Sequence, residues 1–194
     1  MKVLALSGWK GSGKDTLADY LIATKGARRF AFADTLKDMV ASQYRIPVAM
    51  LHDPDLKEKP LEQYPVLTED AFSATIHEKL AKELVSGFWT PRALAILEGS
   101  IKRSVNSQYW TEQVIASIKE SNEELVVITD MRYNSELRIL KEAFGDQLES
   151  IRIERFNESP SDDPSERDLD SATFDVTIAN VGTLEDLHRQ GDNL

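Results

Sequence analysis

The chain has 194 residues, 41% of them hydrophobic, and carries a formal net charge of −10. That length supports one sizeable α/β core, and the acidic balance argues against duplex DNA binding, which needs a basic face for the phosphates. It holds no cysteine, so there is no disulfide framework and no cysteine-based metal site; its three histidines show no metal-ligand spacing. No apolar run reaches about 18 residues and no basic-then-apolar leader opens the chain, so a cytoplasmic protein without a membrane partner is expected.

The first apolar run, Val3-Leu4-Ala5-Leu6, leads into Gly8-Trp9-Lys10-Gly11-Ser12-Gly13-Lys14-Asp15-Thr16. Leu17, Tyr20, Leu21 and Thr24 then recur at helical spacing. Strand, glycine-rich loop and helix in this order are the context of a P-loop, and Gly8, Gly13 and Lys14 fit G-x-x-x-x-G-K. Glycines let several backbone N–H groups face one phosphate, the helix adds its positive dipole end, and Lys14 can reach the outer phosphates. The expected triphosphate-binding residues are Gly11, Ser12, Gly13, Lys14, Asp15 and Thr16. Asp15 stands where Ser or Thr would ordinarily hold Mg²⁺.

Residues 28–33 read as a second strand. A helical pattern follows with Leu36, Met39 and Val40 inward and Asp34 at its start. Asp34 is either the N-cap or, with Lys37, a ligand group at a strand's carboxyl end, where open α/β sheets bind. Residues 45–65 are punctuated by Pro47, Pro54, Pro60 and Pro65 and carry Lys57 among several charges. They read as an irregular loop, either a solvated surface or a substrate-binding segment. Residues 69–86 form a helical pattern. Thr90-Pro91 then supplies an N-cap and a first-turn proline for another helix, which Gly99 ends or bends. Arg92 and Arg103 bracket it, suited either to phosphate or to surface salt bridges. Tyr109 and Trp110 open a further helix, 110–119, as core residues.

Residues 125–130 are the clearest buried strand, ending on Asp130. A carboxylate there is Walker B-like and able to hold Mg²⁺ directly or through water, with Arg132 beside it. Asn134 is expected to cap a helix to Phe144. Residues 148–155 alternate as a strand, 157–170 form an acidic flap carrying Arg167, and 174–179 are the last strand. Asn180-Val181-Gly182 turns, and Thr183 caps a terminal helix, 184–190. Alternating strands and helices predict an α/β fold of three layers: a parallel sheet of about five strands with helices on both faces. One sheet edge is expected to gather the P-loop, Asp34, Asp130, Arg132, Arg155 and Asn180.

Together, Leu6 to Thr16, Thr90 to Arg103, Tyr109-Trp110, Thr129 to Arg132, Pro164 to Glu166 and Asn180 to Leu187 resemble the phage-type deoxynucleoside monophosphate kinases of the P-loop kinase superfamily. The Lys-Asp-Thr ending of the loop is part of that resemblance. It implies one P-loop kinase domain over 1–194, with a nucleoside monophosphate-binding helical region at about 34–110 and a short lid at about 155–171. It also implies ATP-dependent phosphorylation of a deoxynucleoside 5′-monophosphate with Mg²⁺. Lys14, Arg132 and Arg155 would act on the transferring group, joined by Arg167 of the lid. Asn180 and Val181 would border the adenine, and Asp15, Thr16 or Asp130 would lie near the metal. Asp34, Lys37, Lys57, Arg92, Arg103, Asp130 and Arg132 would serve the acceptor, and a homodimer is among the assemblies implied. Rival readings are a kinase of another small acceptor such as dephospho-coenzyme A, a kinase of hydroxymethylpyrimidine in DNA, and a nucleotide-binding protein without catalysis.

Overall fold

The computed structural model describes residues 1–63, 88–155 and 167–194. The helix expected at 69–86 and most of the flap expected at 157–170 lie outside the described residues. The chain divides into two compact units, one formed by Met1–Phe32 with Thr111–Leu194 and the other by Ala33–Trp110.

In the first unit, β1 (Lys2–Ser7), β2 (Arg28–Phe30), β3 (Leu125–Ile128), β4 (Leu148–Glu154) and β5 (Val176–Ala179) form one sheet in the order β2-β3-β1-β4-β5. Every pairing is parallel. The central position of β1 explains its composition. Val3, Leu4, Ala5 and Leu6 are all fully buried, because a parallel strand covered on both faces has no solvent side to furnish with polar residues. Helix α1 (Lys14–Lys25) lays Leu17, Ala18 and Leu21 onto Leu4, Leu6, Ile151 and Ile153. The terminal helix, Leu184–Asp192, adds Leu187 to the same cluster. Val3 and Ala5 point to the opposite face and are equally buried, so both faces are covered and the expected three-layer α/β architecture is present.

Several boundaries differ from the sequence reading. Strand β2 is three residues long, because α2 (Phe32–Tyr44) already begins at Phe32. Asp34 therefore sits inside the first turn rather than capping it, and the Phe32 N–H is instead taken by the Asp130 carboxylate at 2.9 Å. The 45–65 loop contains a short helix, α3 (Ala49–His52). Helix α4 (Pro91–Val105) runs straight through Gly99; Thr90 caps it, its hydroxyl accepting from Ala93 N–H at 3.1 Å. Helix α5 spans Tyr109–Glu120 and buries Trp110, as expected of a core residue. Helix α6 (Asn134–Phe144) has Asn134 as its first residue; the Asp168 carboxylate accepts its N–H at 2.6 Å. The terminal helix, α7, has Thr183 as its cap, accepting from Asp186 N–H.

The second unit packs α2, α3 and α4 around Val40, Leu51, Trp89, Ala93, Leu94 and Leu97. Gly99 belongs in the middle of α4 because Leu36 approaches it closely; a Cβ there would lie 3.2 Å from Leu36 Cδ2.

One polar contact fixes the edge strand. Asp175, just ahead of β5, accepts from Ser150 N–H at 2.8 Å and Ser150 Oγ at 2.6 Å. Partial burial opposes its charge, yet the Ser150 hydroxyl and N–H, with Lys141 nearby, hold the carboxyl below its ordinary value. A depressed carboxyl stabilises the fold above the unfolded-chain value, and that contribution is lost as the pH falls through the folded value. Asp175→Asn is expected to lower the urea midpoint at pH 7, with the gap to the parent chain narrowing as the pH drops below the usual carboxylate range. A gap independent of pH would contradict the assignment.

Candidate functional site

In the first unit the parallel strands send every carboxyl end to one edge. The P-loop follows β1, Asp130 follows β3 by two residues, Arg155 follows β4 directly and Asn180 follows β5 directly. A cleft of about 300 Å³ opens there, lined by Gly11, Gly13, Lys14, Asp15, Thr16, Arg155, Asn180, Gly182, Thr183, Leu184 and Leu187.

The loop's conformation demands its glycines. Gly13 has φ +102°, and a Cβ on it would stand 2.5 Å from Asn180 Nδ2. Gly8 has φ +152°, with Ile153 O and Ser12 Oγ both 2.5 Å from where its Cβ would be. Helix α1 starts directly at Lys14 with no side chain capping it, so its first N–H groups are left to face the cleft, an arrangement suited to an anion. Lys14 Nζ donates to Trp9 O at 3.0 Å. Ser12 Oγ is buried with no hydrogen-bond partner among the described residues, a hydroxyl suited to a phosphate oxygen. Arg155 Nη1 donates to Gly11 O at 3.4 Å, which puts this arginine at the loop.

Other candidates take less expected positions. Asn180 Nδ2 donates to Ser12 O at 2.8 Å, so it braces the P-loop as well as lining the cleft. Val181 is 62% exposed, whereas Gly182, Thr183, Leu184 and Leu187 line the cleft. Arg132 is exposed, its backbone N–H held by Glu136 Oε2 at 2.7 Å. Arg167 is exposed, its carbonyl accepting from Asp170 N–H.

Asp15 and Thr16 line the cleft in the first turn of α1, where they are exposed. Both are hard oxygen donors that suit Mg²⁺, which keeps several waters and takes phosphate oxygens rather than needing an all-protein cage. No group of three or more His, Asp or Glu residues that could hold a metal alone occurs among the described residues. Asp130 already accepts from Phe32 N–H through Oδ1.

The second unit has a cleft of its own, about 340 Å³, between α2, α3 and α4. One stripe of α4 forms a wall: Arg92, Ala95, Ile96, Gly99, Ser100 and Arg103 recur at helical spacing, while Ala93, Leu94 and Leu97 turn to the core. Lys37 and Lys57 line the cleft with them, so four sequence candidates are brought together. Asp34 lies 3.8 Å from Lys37 Nζ. Arg92 is held through Nε by Glu58 Oε1 at 2.6 Å. His52 also lines this cleft, with Nδ1 3.3 Å from Lys37 Nζ, and sequence reasoning missed it. Nothing in the punctuated loop marked the turn of helix that presents it.

The parallel five-stranded sheet, with the P-loop at the carboxyl end of its central strand, gives the chain a three-layer P-loop nucleotide-binding fold. A family model described as deoxynucleotide monophosphate kinase matches residues 2–73. The chain is also 27% identical over 195 residues to a protein of Acanthamoeba polyphaga mimivirus provisionally named deoxynucleotide monophosphate kinase, covering 98% of this chain and 94% of that one. The alignment with this relative extends along nearly the whole chain. Among solved structures, TT1252 from Thermus thermophilus aligns at 15% identity over 99% of this chain and 95% of its own, with a TM-score of 0.49. Dephospho-CoA kinase from Campylobacter jejuni aligns at 14% over 100% and 95%, with a TM-score of 0.47. The fold itself is defined by the strand order and the P-loop.

Gly13→Ala tests the cleft in the first unit. Forcing a side chain to this φ costs about 1–3 kcal/mol, and the Asn180 brace must also shift. Mg-ATP binding by calorimetry is expected to weaken about tenfold or more, with far-UV circular dichroism unchanged. Unaltered affinity would contradict this geometry.

Proposed function

We propose that this protein is a kinase transferring the γ-phosphoryl group of ATP to a deoxynucleoside 5′-monophosphate, giving the diphosphate. The observation that carries the reading is the cleft of the second unit, where Lys37, Lys57, Arg92 and Arg103 surround an apolar wall of Leu36, Leu51, Ala95 and Ile96. A charged phosphate end and a flat apolar base fit such a lining. The family resemblance favours a nucleotide over other small phosphorylated acceptors. Kinases of dephospho-coenzyme A or of bases within DNA remain the rival classes, and the net charge of −10 weighs against the second.

In this reading the P-loop amides and Lys14 hold the donor's outer phosphates, Lys14 exchanging the Trp9 carbonyl for phosphate oxygens. Ser12 Oγ gains a partner. Asn180 keeps the loop braced, while Gly182, Thr183 and Leu184 border the donor's base. Asp15 and Thr16, with Asp130 through water, would hold Mg²⁺, which would supply charge neutralisation on the bridging phosphates. Arg92 and Arg103 grip the acceptor phosphate from one helix face, with Lys37 and Lys57 beside them. The acceptor oxygen is already an oxyanion, so no general base is required; positioning and charge neutralisation carry the catalysis. Arg155, Arg132 and Arg167 supply positive charge to the transferring group. Among the described residues no helix is long and apolar enough to cross a membrane.

Two substitutions separate the roles. Lys14→Ala is expected to lower kcat by about 10²–10³-fold, as loss of one preorganised charge does. Arg92→Ala is expected to raise the KM for the monophosphate about tenfold or more, with the KM for ATP little changed. Near-normal turnover in the first, or a KM change confined to ATP in the second, would overturn these assignments.

A further inference from the structure

The donor loop is attached to an ion pair, between a buried arginine and a partly exposed aspartate, that the proposed chemistry does not use. Arg152, in β4, pairs in register with Ser7 at the end of β1. It is only 7% exposed. Its Nη2 donates to Asp170 Oδ1 at 2.7 Å and its Nη1 to Ser7 Oγ at 3.2 Å. The guanidinium also lies between two aromatic rings, 5.6 Å from the centroid of Trp9 and 5.9 Å from that of Phe174.

A buried arginine is costly unless its charge is met, and here one carboxylate meets it. That carboxylate has a second task. The same oxygen, Asp170 Oδ1, accepts Trp9 Nε1–H at 3.0 Å. Trp9 is a P-loop residue, and its carbonyl accepts both Lys14 Nζ at 3.0 Å and Ser12 N–H at 3.1 Å. Two bonds therefore separate Asp170 from the lysine that serves the phosphates. The turn carrying Asp170 is itself fixed: Leu169 is 2% exposed, and Asp168 accepts the first N–H of α6 through its carboxylate and the Asn134 side-chain amide through its carbonyl. Asp170 is thus a stationary post, and the loop is what it holds.

We propose that Asp170 and Arg152 are positioning residues for the donor site. They fix the Trp9 indole, and through the Trp9 carbonyl they set the P-loop conformation and the resting place of Lys14. Trp9 is the only one of the three tryptophans in the first unit, since Trp89 and Trp110 lie in the second. Its emission is consequently an optical report on the loop, obtained as the difference between the parent chain and Trp9→Phe.

The inference rests on the P-loop binding ATP but not on the identity of the acceptor, so its test reads nucleotide binding. Mg-ATP is titrated by calorimetry into the parent chain, Asp170→Ala and Trp9→Phe, with melting temperatures recorded for each. Trp9→Phe keeps an aromatic ring over Arg152 and removes the indole N–H. Both variants are expected to bind Mg-ATP about fivefold to tenfold more weakly, the scale of one lost hydrogen bond. In the tryptophan difference spectrum, Asp170→Ala without nucleotide is expected to show red-shifted Trp9 emission, as the indole loses its anchor. The monophosphate KM should not move in either variant. If both variants bind Mg-ATP within twofold of the parent while only the melting temperature falls, the cluster is structural and the proposal fails. Should Asp170→Ala not fold, Trp9→Phe alone decides. A parent chain that binds Mg-ATP yet phosphorylates no deoxynucleotide would end the acceptor reading and leave this inference standing.

Discussion

The close approach of Gly13 to Asn180 is the constraint on which the P-loop conformation depends. A backbone at φ +102°, with an amide side chain where a Cβ would lie, admits glycine alone. Asn180 Nδ2 then reaches the Ser12 carbonyl, tying the loop after β1 to the end of β5. From that brace the rest follows in order. Helix α1 begins at Lys14, its uncapped N–H groups face the cleft, and Leu17 and Leu21 seat it on β1 and β4. The sheet supplies rigidity: β1 is buried on both faces and paired on both edges, so the loop leaves a strand that cannot move.

Charge is distributed by the same logic. A chain with a net charge of −10 would repel anionic ligands unless cations were concentrated where those ligands bind. The first unit collects Lys14 and Arg155 at the loop; the second collects Lys37, Lys57, Arg92 and Arg103 around one cleft. Carboxylates nearby orient these cations: Glu58 holds Arg92, and Asp34 stands beside Lys37. Each unit thus offers a cation-lined cleft, with polar backbone around it in the first and an apolar helix face in the second.

Much of this was legible in the sequence because the signals are local. The P-loop, the buried runs of β1 and β3, and the Thr90 and Thr183 caps each lie within a few consecutive residues. The four cations of the second cleft were also named, since α4's spacing aligns Arg92 with Arg103. What escaped depends on residues far apart in the chain. The start of α2 is fixed by Asp130, 98 residues away, so Asp34 looked like the cap. Gly99 looked like a helix stop because the Leu36 contact that suits it comes from another helix. Arg152 sits in an alternating strand and reads as a solvent-facing charge; Trp9, from the P-loop, and Asp170 and Phe174, from the stretch before β5, enclose it. His52 was hidden in a helix of four residues, too short to show periodicity.

In the proposed reaction, a donor phosphate held at the P-loop is passed to a deoxynucleoside monophosphate held by the α4 arginines. The most direct test is to incubate the protein with γ-labelled ATP, Mg²⁺ and each of the four deoxynucleoside monophosphates in turn, and to separate the products. The account predicts label in the β-position of at least one deoxynucleoside diphosphate, with stoichiometric ADP. Label appearing in none of the four diphosphates, but in inorganic phosphate or in dephospho-coenzyme A supplied in parallel, would contradict it.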